Sequence, residues 1–372
     1  PDQMQGQPLY ISFQGVESGM ALWLNGKYVG YSEDSFTPSD FELTPYLVEG
    51  ENKLALQVYK WTSGSWAESQ DFYRFSGIFR DVYLYTKPAV HIEDLSVQAL
   101  LDSAYTEGEL KLSVKSQGSG TVELALSEMP LYRFPGSAVT NLWETPNREI
   151  ARASFPLSGG RGQLTLPVGN VKLWSAEEPN LYELLLTVRD GSGAVTEVIA
   201  QGVGFRRFEM KDGLMCLNGK RIVFKGVNRH EFSAISGRVP QPEEVLLDIV
   251  TMKQHNINAI RTCHYPDDSP LYGLCDVYGL YLIDETNMET HGSWDAAMRT
   301  GDLSLALPNG KPQWEAPLLD RVNSMYQRDK NHPSILIWSC GNESYGGLVI
   351  KKMADKFREL DSTRLVHYEG IF

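Results

Sequence analysis

The chain has 372 residues, of which 42% are hydrophobic and 22% are charged, the balance of a globular protein with a sizeable buried core. Its formal net charge of −13 argues against a nucleic-acid or anionic-membrane partner, because both require a basic face. A neutral small-molecule substrate fits this charge better. No apolar run is long enough for a membrane span. The length predicts two or three domains.

Four cysteines are scattered through the second half of the chain, with no Cys-x-x-Cys pair among them. They are too sparse for a disulfide framework and too scattered for a zinc knuckle. We therefore expect four reduced thiols and a cytoplasmic protein. The cysteines are Cys216, Cys263, Cys275 and Cys340.

The first predicted unit, residues 1–88, alternates apolar and polar residues over short runs such as LYISFQGV and KLALQVYKW. Turn residues separate these runs, a pattern typical of antiparallel β-structure. Asn25-Gly26, between ALWL and KYVGY, is the strongest hairpin signal in the chain.

The second predicted unit, residues 89–204, contains further alternating segments, among them ELKLSVKS, TVELALSE, GQLTLPV and YELLLTVRD. Gly- and Ser-rich connections separate them, and no helical period intervenes. This pattern predicts a β-sandwich.

The third predicted unit, residues 205–372, alternates strands with helices, which indicates parallel βα units. Wholly apolar strands such as ILIW suit a parallel sheet that is covered on both faces. The predicted strands are 221–227, 257–262, 280–286, 334–340 and 364–370, and the predicted helices are 240–256, 269–279, 320–331 and 347–360.

Polar and ionisable residues collect where these parallel strands end. The carboxyl ends of such strands carry the functional residues of α/β proteins. A single histidine or carboxylate on a loop is usually solvated, but a ring of them at successive strand ends indicates a site. The residues are Asn228, Arg229, His230, Glu231, Arg261, His264, Asp284, Glu285, Asn287, Glu289, His291, Asn342, Glu343 and Glu369.

Two short segments suggest particular chemistry. Glu289 and His291 lie two residues apart and, with a carboxylate from another loop, could hold a hard divalent ion such as Mg²⁺. Asn342-Glu343 places a hydrogen-bonding amide beside a candidate general acid. Glycoside hydrolysis needs two carboxyl groups that flank the scissile bond.

Two longer segments resemble the signatures of glycoside hydrolase family 2. They are NAIRTCHYPDDSPLYGLCDVYGLYLIDE (258–285) and DKNHPSILIWSCGNE (329–343). GVNRHE, NMETHG, GNES and YRFSGIFRDV are most similar to the long-chain β-galactosidases of that family. The resemblance covers nearly the whole chain. It implies a multidomain fold: a β jelly-roll (1–88), an immunoglobulin-like β-sandwich (89–204) and a partial (β/α)₈ TIM barrel (205–372).

The resemblance also implies roles for individual residues. Glu343 would be the general acid/base of a retaining enzyme that hydrolyses β-galactosides such as lactose, and Asn342 would bind the sugar 2-hydroxyl. His230 and His264 would contact galactose. The implied metal ligands are Glu289, His291 and Glu343 for Mg²⁺, and Asp71, which would also bind the 6-hydroxyl, for Na⁺. The alternative for Asp71 is a loop carboxylate that pairs with Arg74 or Arg80.

The family mechanism requires a nucleophilic glutamate, which we expect beyond residue 372, because Glu369 does not match the nucleophile motif. We expect the first domain to lack its beginning and the barrel its second half. Such a half barrel should be unstable alone or should associate, whereas the full-length form is expected to be a homo-oligomer. A partner chain that completes the site is a related possibility.

Two other functions remain open at this point. One is a different specificity within the family, β-glucuronidase or β-mannosidase. A glucuronidase needs a cation for the substrate carboxylate, and Arg229 and Arg261 are available for it. The other is a non-catalytic carbohydrate-binding protein, against which the intact set Glu289, His291 and Glu343 argues.

Overall fold

The computed structural model describes residues 4, 6–129 and 148–370. The first unit packs short antiparallel strands into three small sheets, ordered β5-β1-β8, β2-β7 and β4-β3-β6. The Asn25-Gly26 hairpin between β3 and β4 is confirmed, and both turn residues have positive φ. These strands are β1 (Leu9–Phe13), β2 (Val16–Glu17), β3 (Gly19–Leu24), β4 (Lys27–Ser32), β5 (Ser39–Glu42), β6 (Leu54–Tyr59), β7 (Gly77–Ile78) and β8 (Val82–Thr86). Two 3₁₀ turns, Thr44–Tyr46 and Ser63–Trp66, connect them.

The second unit is the predicted sandwich, made of two antiparallel sheets ordered β13-β10-β9 and β12-β11-β14-β15. Alternate residues of β10 and β14 are buried, as expected for strands with one face on a core. The strands are β9 (His91–Leu101), β10 (Gly108–Gln117), β11 (Gly120–Glu128), β12 (Glu149–Leu157), β13 (Arg161–Val168), β14 (Tyr182–Asp190) and β15 (Val195–Val203).

A small antiparallel sheet, β16 (Phe208–Lys211), β17 (Leu214–Leu217) and β18 (Lys220–Arg221), precedes the parallel part. The predicted strand 221–227 is therefore wrong. Its first residue pairs back onto β17, while the parallel strand begins only at Gly226. The apolar residues Ile222 and Phe224 pack against a buried cluster around Trp174, which explains the misleading pattern.

The third unit is a five-stranded parallel sheet in the order β19-β20-β21-β22-β23. Every residue of β22 is buried, as a sheet covered on both faces requires. Among the described residues, the helices are too short or too polar to span a bilayer. The elements are β19 (Gly226–Arg229), α1 (Pro242–Gln254), β20 (Ala259–Thr262), α2 (Ser269–Tyr278), β21 (Tyr281–Glu285), α3 (His291–Thr300), α4 (Glu315–Asp329), β22 (Ile335–Ser339), α5 (Leu348–Leu360) and β23 (Leu365–His367), with 3₁₀ turns at Leu303–Leu305 and Pro312–Trp314.

Two helices differ from the prediction. Helix α3 was not predicted, because Ser293 and Ala297 are its only buried residues and leave no apolar stripe. Helix α4 begins five residues earlier than the predicted 320, since Pro317 lies in its first turn, where proline is tolerated. All four cysteines are free and buried, as expected.

Candidate active site

The loops that follow the parallel strands bring most of the predicted site residues to one edge of the sheet. Register pairs join each strand to the next in parallel, so their carboxyl ends coincide. His230 follows β19 directly, and His264 comes two residues after β20. Glu289 and His291 follow β21, and Glu343 follows β22. The structure thus places these predicted residues at neighbouring positions along this edge.

Asn342 is fixed by contacts from strand β20 and from the loop that follows β21. Its side-chain NH₂ donates to Glu289 Oε2 at 2.9 Å, and its Oδ1 accepts from Arg261 Nη2 at 2.9 Å. The backbone N–H of Asn342 donates to the carbonyl of Met288 at 2.9 Å. The adjacent Glu343 carboxylate remains 45% exposed. This arrangement holds an amide rigidly beside a carboxylate that a substrate can reach.

Glu289, His291 and Glu343 form a cluster whose ligand atoms lie within 4.8 Å of one another. His291 Nδ1 lies 2.9 Å from Glu343 Oε2 and 3.5 Å from Glu289 Oε1. Glu289 is fully buried, and its Oε1 has no hydrogen-bond partner among the described residues. An unpaired buried carboxylate oxygen is costly. Together, the carboxylates of Glu289 and Glu343 and the imidazole of His291 form a ligand set that fits a hard divalent cation such as Mg²⁺.

The electrostatics of Glu289 agree with this fit. Burial raises the pKa of Glu289 above its ordinary value, and the nearby Glu343 contributes to the rise, while the hydrogen bond from Asn342 opposes it. A cation in the cluster would remove this penalty, because it stabilises the charged carboxylate.

Glu285, the last residue of β21, was noted only as a strand-end residue, yet it organises the centre of the site. Its buried carboxylate accepts from Arg261 Nε at 2.7 Å and from Ser339 Oγ at 2.6 Å, and it lies 2.7 Å from His264 Nδ1. Burial alone would raise its pKa, but His264 and Arg261 outweigh burial and lower it. Glu285 is therefore an ionised carboxylate that orients Arg261 and His264.

The first domain also supports the loop that carries Glu289, through residues that the sequence did not indicate. The Glu289 backbone N–H donates to Ala67 at 2.7 Å, and the Ser69 N–H donates to the Glu289 carbonyl at 2.8 Å. The buried Glu68 accepts from Asn287 Nδ2 and from Arg321 Nη1, each at 2.8 Å. The loop that carries Glu289 is thus held in place by another domain.

The predicted residue Asp71 is exposed and lies next to Phe72 in the same segment. Its alternative partners are engaged elsewhere: Arg74 donates to the carbonyl of Glu68 at 2.8 Å, and Arg80 pairs with Glu231 at 2.7 Å. The structure therefore leaves Asp71 free of the two predicted ion pairs.

His230 lies at the centre of this region. Burial, with His264 and Arg238, lowers the pKa of His230 to about 4, and Asp71 and Glu285 oppose that shift. The ring is neutral at pH 7 and can donate or accept one hydrogen bond with a sugar hydroxyl.

Comparison with known families gives the class of the protein. Three family models match: "Glycosyl hydrolases family 2, sugar binding domain" over residues 2–88, "Glycosyl hydrolases family 2" over 90–206 and "Glycosyl hydrolases family 2, TIM barrel domain" over 208–371. The chain therefore belongs to glycoside hydrolase family 2. The predicted fold class, two β domains followed by part of a TIM barrel, is confirmed.

Similar curated proteins include the β-galactosidases of Halalkalibacterium halodurans and Priestia megaterium, each 51% identical to the chain over its full length. The chain spans 35% of the length of each. A solved β-glucuronidase from an uncultured Clostridium sp. superposes with a TM-score of 0.80 at 23% identity, over 100% of this chain and 61% of its own. That likeness concerns the fold alone.

Proposed function

We propose that this chain is part of a retaining β-galactosidase that hydrolyses terminal β-D-galactosides such as lactose. The observation that carries the proposal is the position of Glu343, which lies beside His291, Glu289 and the fixed amide of Asn342 at the carboxyl edge of a family 2 barrel sheet. The chain is 51% identical, over its own full length, to two proteins named β-galactosidase, and this supports a galactoside as the substrate. We also propose a cytoplasmic location and a homo-oligomer.

In this proposal Glu343 is the general acid/base. It donates a proton to the leaving glycosidic oxygen while a second glutamate, which the family resemblance assigns beyond residue 372, attacks the anomeric carbon. In the second half of the reaction Glu343 removes a proton from the water that hydrolyses the glycosyl-enzyme. Asn342 binds the 2-hydroxyl, and its two side-chain hydrogen bonds keep it in place for that contact.

Glu289, His291 and Glu343 would hold Mg²⁺, which supplies positive charge that stabilises the ionised form of Glu343. His230 and His264 bind galactose hydroxyls, and Glu285 orients His264. Asp71 would contribute a contact to the 6-hydroxyl and a ligand to Na⁺.

A neutral sugar suits the site better than a uronic acid. Both cations that a glucuronidase could use are already paired: Arg229 with Asp267 at 2.7 Å, and Arg261 with Glu285 at 2.7 Å. Either would have to give up a buried partner to bind a substrate carboxylate, which is costly.

The test compares two leaving groups on the purified full-length enzyme of which this chain is part. Glu343→Ala should lower kcat for lactose by about 10²- to 10⁴-fold, the usual contribution of a general acid. The same change should lower the rate far less for 2,4-dinitrophenyl β-galactoside, because its leaving group needs no proton. Added azide should restore turnover, with galactosyl azide as the product. Glu359→Gln, at an exposed carboxylate on α5 that pairs with Lys356, is the control.

Retention is read from the anomer first formed, by NMR. The proposal fails if Glu343→Ala affects both substrates equally without azide rescue, or if a β-glucuronide is hydrolysed better than the galactoside.

A further inference from the structure

We propose that His230, Cys263 and His264 form a second metal site, selective for a thiophilic divalent ion such as Zn²⁺, and that its occupation blocks the galactoside pocket. The site is distinct from the Glu289–His291–Glu343 cluster. Its existence does not depend on the proposed function; only the inhibition does.

The geometry suits one tetrahedral ion. One ring nitrogen of each histidine and the Cys263 sulfur lie within 4.8 Å of one another. The two imidazole centroids are 5.4 Å apart, and the rings are perpendicular. Two imidazoles bound to one zinc ion at about 2.0–2.1 Å place their centroids about 5 Å apart. Only a small movement of the three side chains is therefore needed.

The outer contacts resemble those of metal-binding histidines. His264 Nδ1 lies 2.7 Å from the buried carboxylate of Glu285, and His230 Nδ1 lies 3.3 Å from the hydroxyl of Tyr265. Each contact engages Nδ1 and fixes the ring orientation, so a metal in this site would take the other nitrogen, Nε2, of each ring. A carboxylate behind a ligating histidine also raises the basicity of the imidazole.

The donor set determines which ion binds. One thiol and two imidazoles favour Zn²⁺ or Co²⁺ over Mg²⁺, which prefers oxygen ligands. Binding converts the Cys263 thiol to a thiolate and releases its proton to solvent. Three protein ligands leave a fourth position for water. His230 and His264 can then no longer contact galactose, so the ion and the galactoside compete.

The first experiment titrates Co²⁺ into the purified protein with excess Mg²⁺, which occupies the oxygen-rich cluster. A thiolate-to-cobalt absorption band in the near ultraviolet is expected for the wild type. Cys263→Ser and Cys263→Ala should both lose the band, whereas Cys216→Ser, a change at another buried free cysteine, should keep it. No band in the wild type, or a band that survives both Cys263 changes, would overturn the proposal. This readout needs no turnover.

The second experiment measures Zn²⁺ inhibition of aryl galactoside hydrolysis by the full-length enzyme that contains this chain, with the same excess of Mg²⁺. Inhibition should be competitive with the galactoside, and Cys263→Ser should raise the inhibition constant at least tenfold while kcat/KM stays within twofold. Equal inhibition of the wild type and Cys263→Ser would place the inhibitory ion elsewhere and refute the blocking step. If neither protein hydrolyses the galactoside, the proposed function fails while the cobalt result stands.

Discussion

Phe72 of the first domain stacks face to face on His230 of the barrel, with ring centroids 4.7 Å apart and planes 4° from parallel. The guanidinium of Arg238 also packs against Phe72, 4.9 Å from the ring centroid. Arg238 is buried and also packs against Phe36 at 4.7 Å. A β domain thus adds to the contacts that orient this histidine, whose Nδ1 also lies 3.3 Å from the hydroxyl of Tyr265 in the barrel.

Phe72→Ala should raise KM for the galactoside by about 2- to 10-fold, since an aromatic pair contributes about 0.5–1.5 kcal/mol beyond its buried area. The value of kcat should change less, because His230 binds the sugar in the ground state as well as in the transition state. Steady-state kinetics check this. Phe41→Ala, which removes an edge-to-face contact with Phe13 inside the first domain, is the control. Equal effects on KM would contradict the positioning role of Phe72.

Glu68→Gln should destabilise the protein by about 3–5 kcal/mol, because it leaves the buried Arg321 without its closest charged partner. Urea unfolding followed by tryptophan fluorescence measures the change. Glu315→Gln removes a carboxylate from a more exposed pair with Lys352 and should cost less than about 1 kcal/mol. Similar losses for the two variants would mean that the interdomain pair does not stabilise the fold.

Gly341→Ala should abolish activity by displacing the loop that carries Asn342 and Glu343. Gly341 has a φ of 134°, and a Cβ there would lie 2.4 Å from the carbonyl oxygen of Met288. Gly273→Ala is the control, because a Cβ in the middle of α2 meets nothing within 4 Å. That change should stabilise the helix by about 0.5–1 kcal/mol. If Gly341→Ala had the same kcat as the wild type, the loop would tolerate the displacement and this prediction would be wrong.

Loss of an outer-shell partner weakens metal binding by about 10- to 100-fold. Glu289→Gln should weaken Mg²⁺ binding by more than this, because it changes a ligand that contacts the metal directly. Chelation of the metal should lower kcat in the wild type, and added Mg²⁺ should restore it. Isothermal titration with Mg²⁺ gives the affinity directly. Asp355→Asn, on the exposed surface of α5, should leave that affinity unchanged. An unaltered affinity in Glu289→Gln would exclude this cluster as the magnesium site.

His332 should make stability depend on pH. Burial alone would lower the pKa of His332, but the Asp276 carboxylate at 2.6 Å outweighs it and raises the pKa. A histidine whose pKa is higher in the folded than in the unfolded protein stabilises the folded state when it is protonated. This stabilisation is complete below the unfolded pKa of about 6.5, and it is lost as the pH rises through the folded pKa. The difference in unfolding free energy between the wild type and His332→Asn should therefore shrink between pH 6 and pH 9. A difference that grows with pH would contradict the assignment.

The sequence was sufficient for features that depend on local pattern. The Asn25-Gly26 turn, the alternation in β10 and the buried strand β22 follow from residue spacing alone. The strand-end position of Glu289, His291 and Glu343 follows as well, because parallel strands share one carboxyl edge. Local pattern failed at residues 221–227, where apolar side chains pack on a neighbouring cluster without forming the predicted strand.

The sequence by itself determined the family, the order of the domains and the set of residues at the strand ends, because these are written in short contiguous segments. Only the tertiary structure decided that Phe72 covers His230, that Glu68 holds Asn287 and that Cys263 lies beside His230. Each of these contacts depends on chain folding. Phe72 and Glu68 reach their partners across a domain boundary, and Cys263 reaches His230 from the next strand of the sheet. Such proximity is created only when burial of apolar surface brings distant segments together, and no periodicity in the sequence records it.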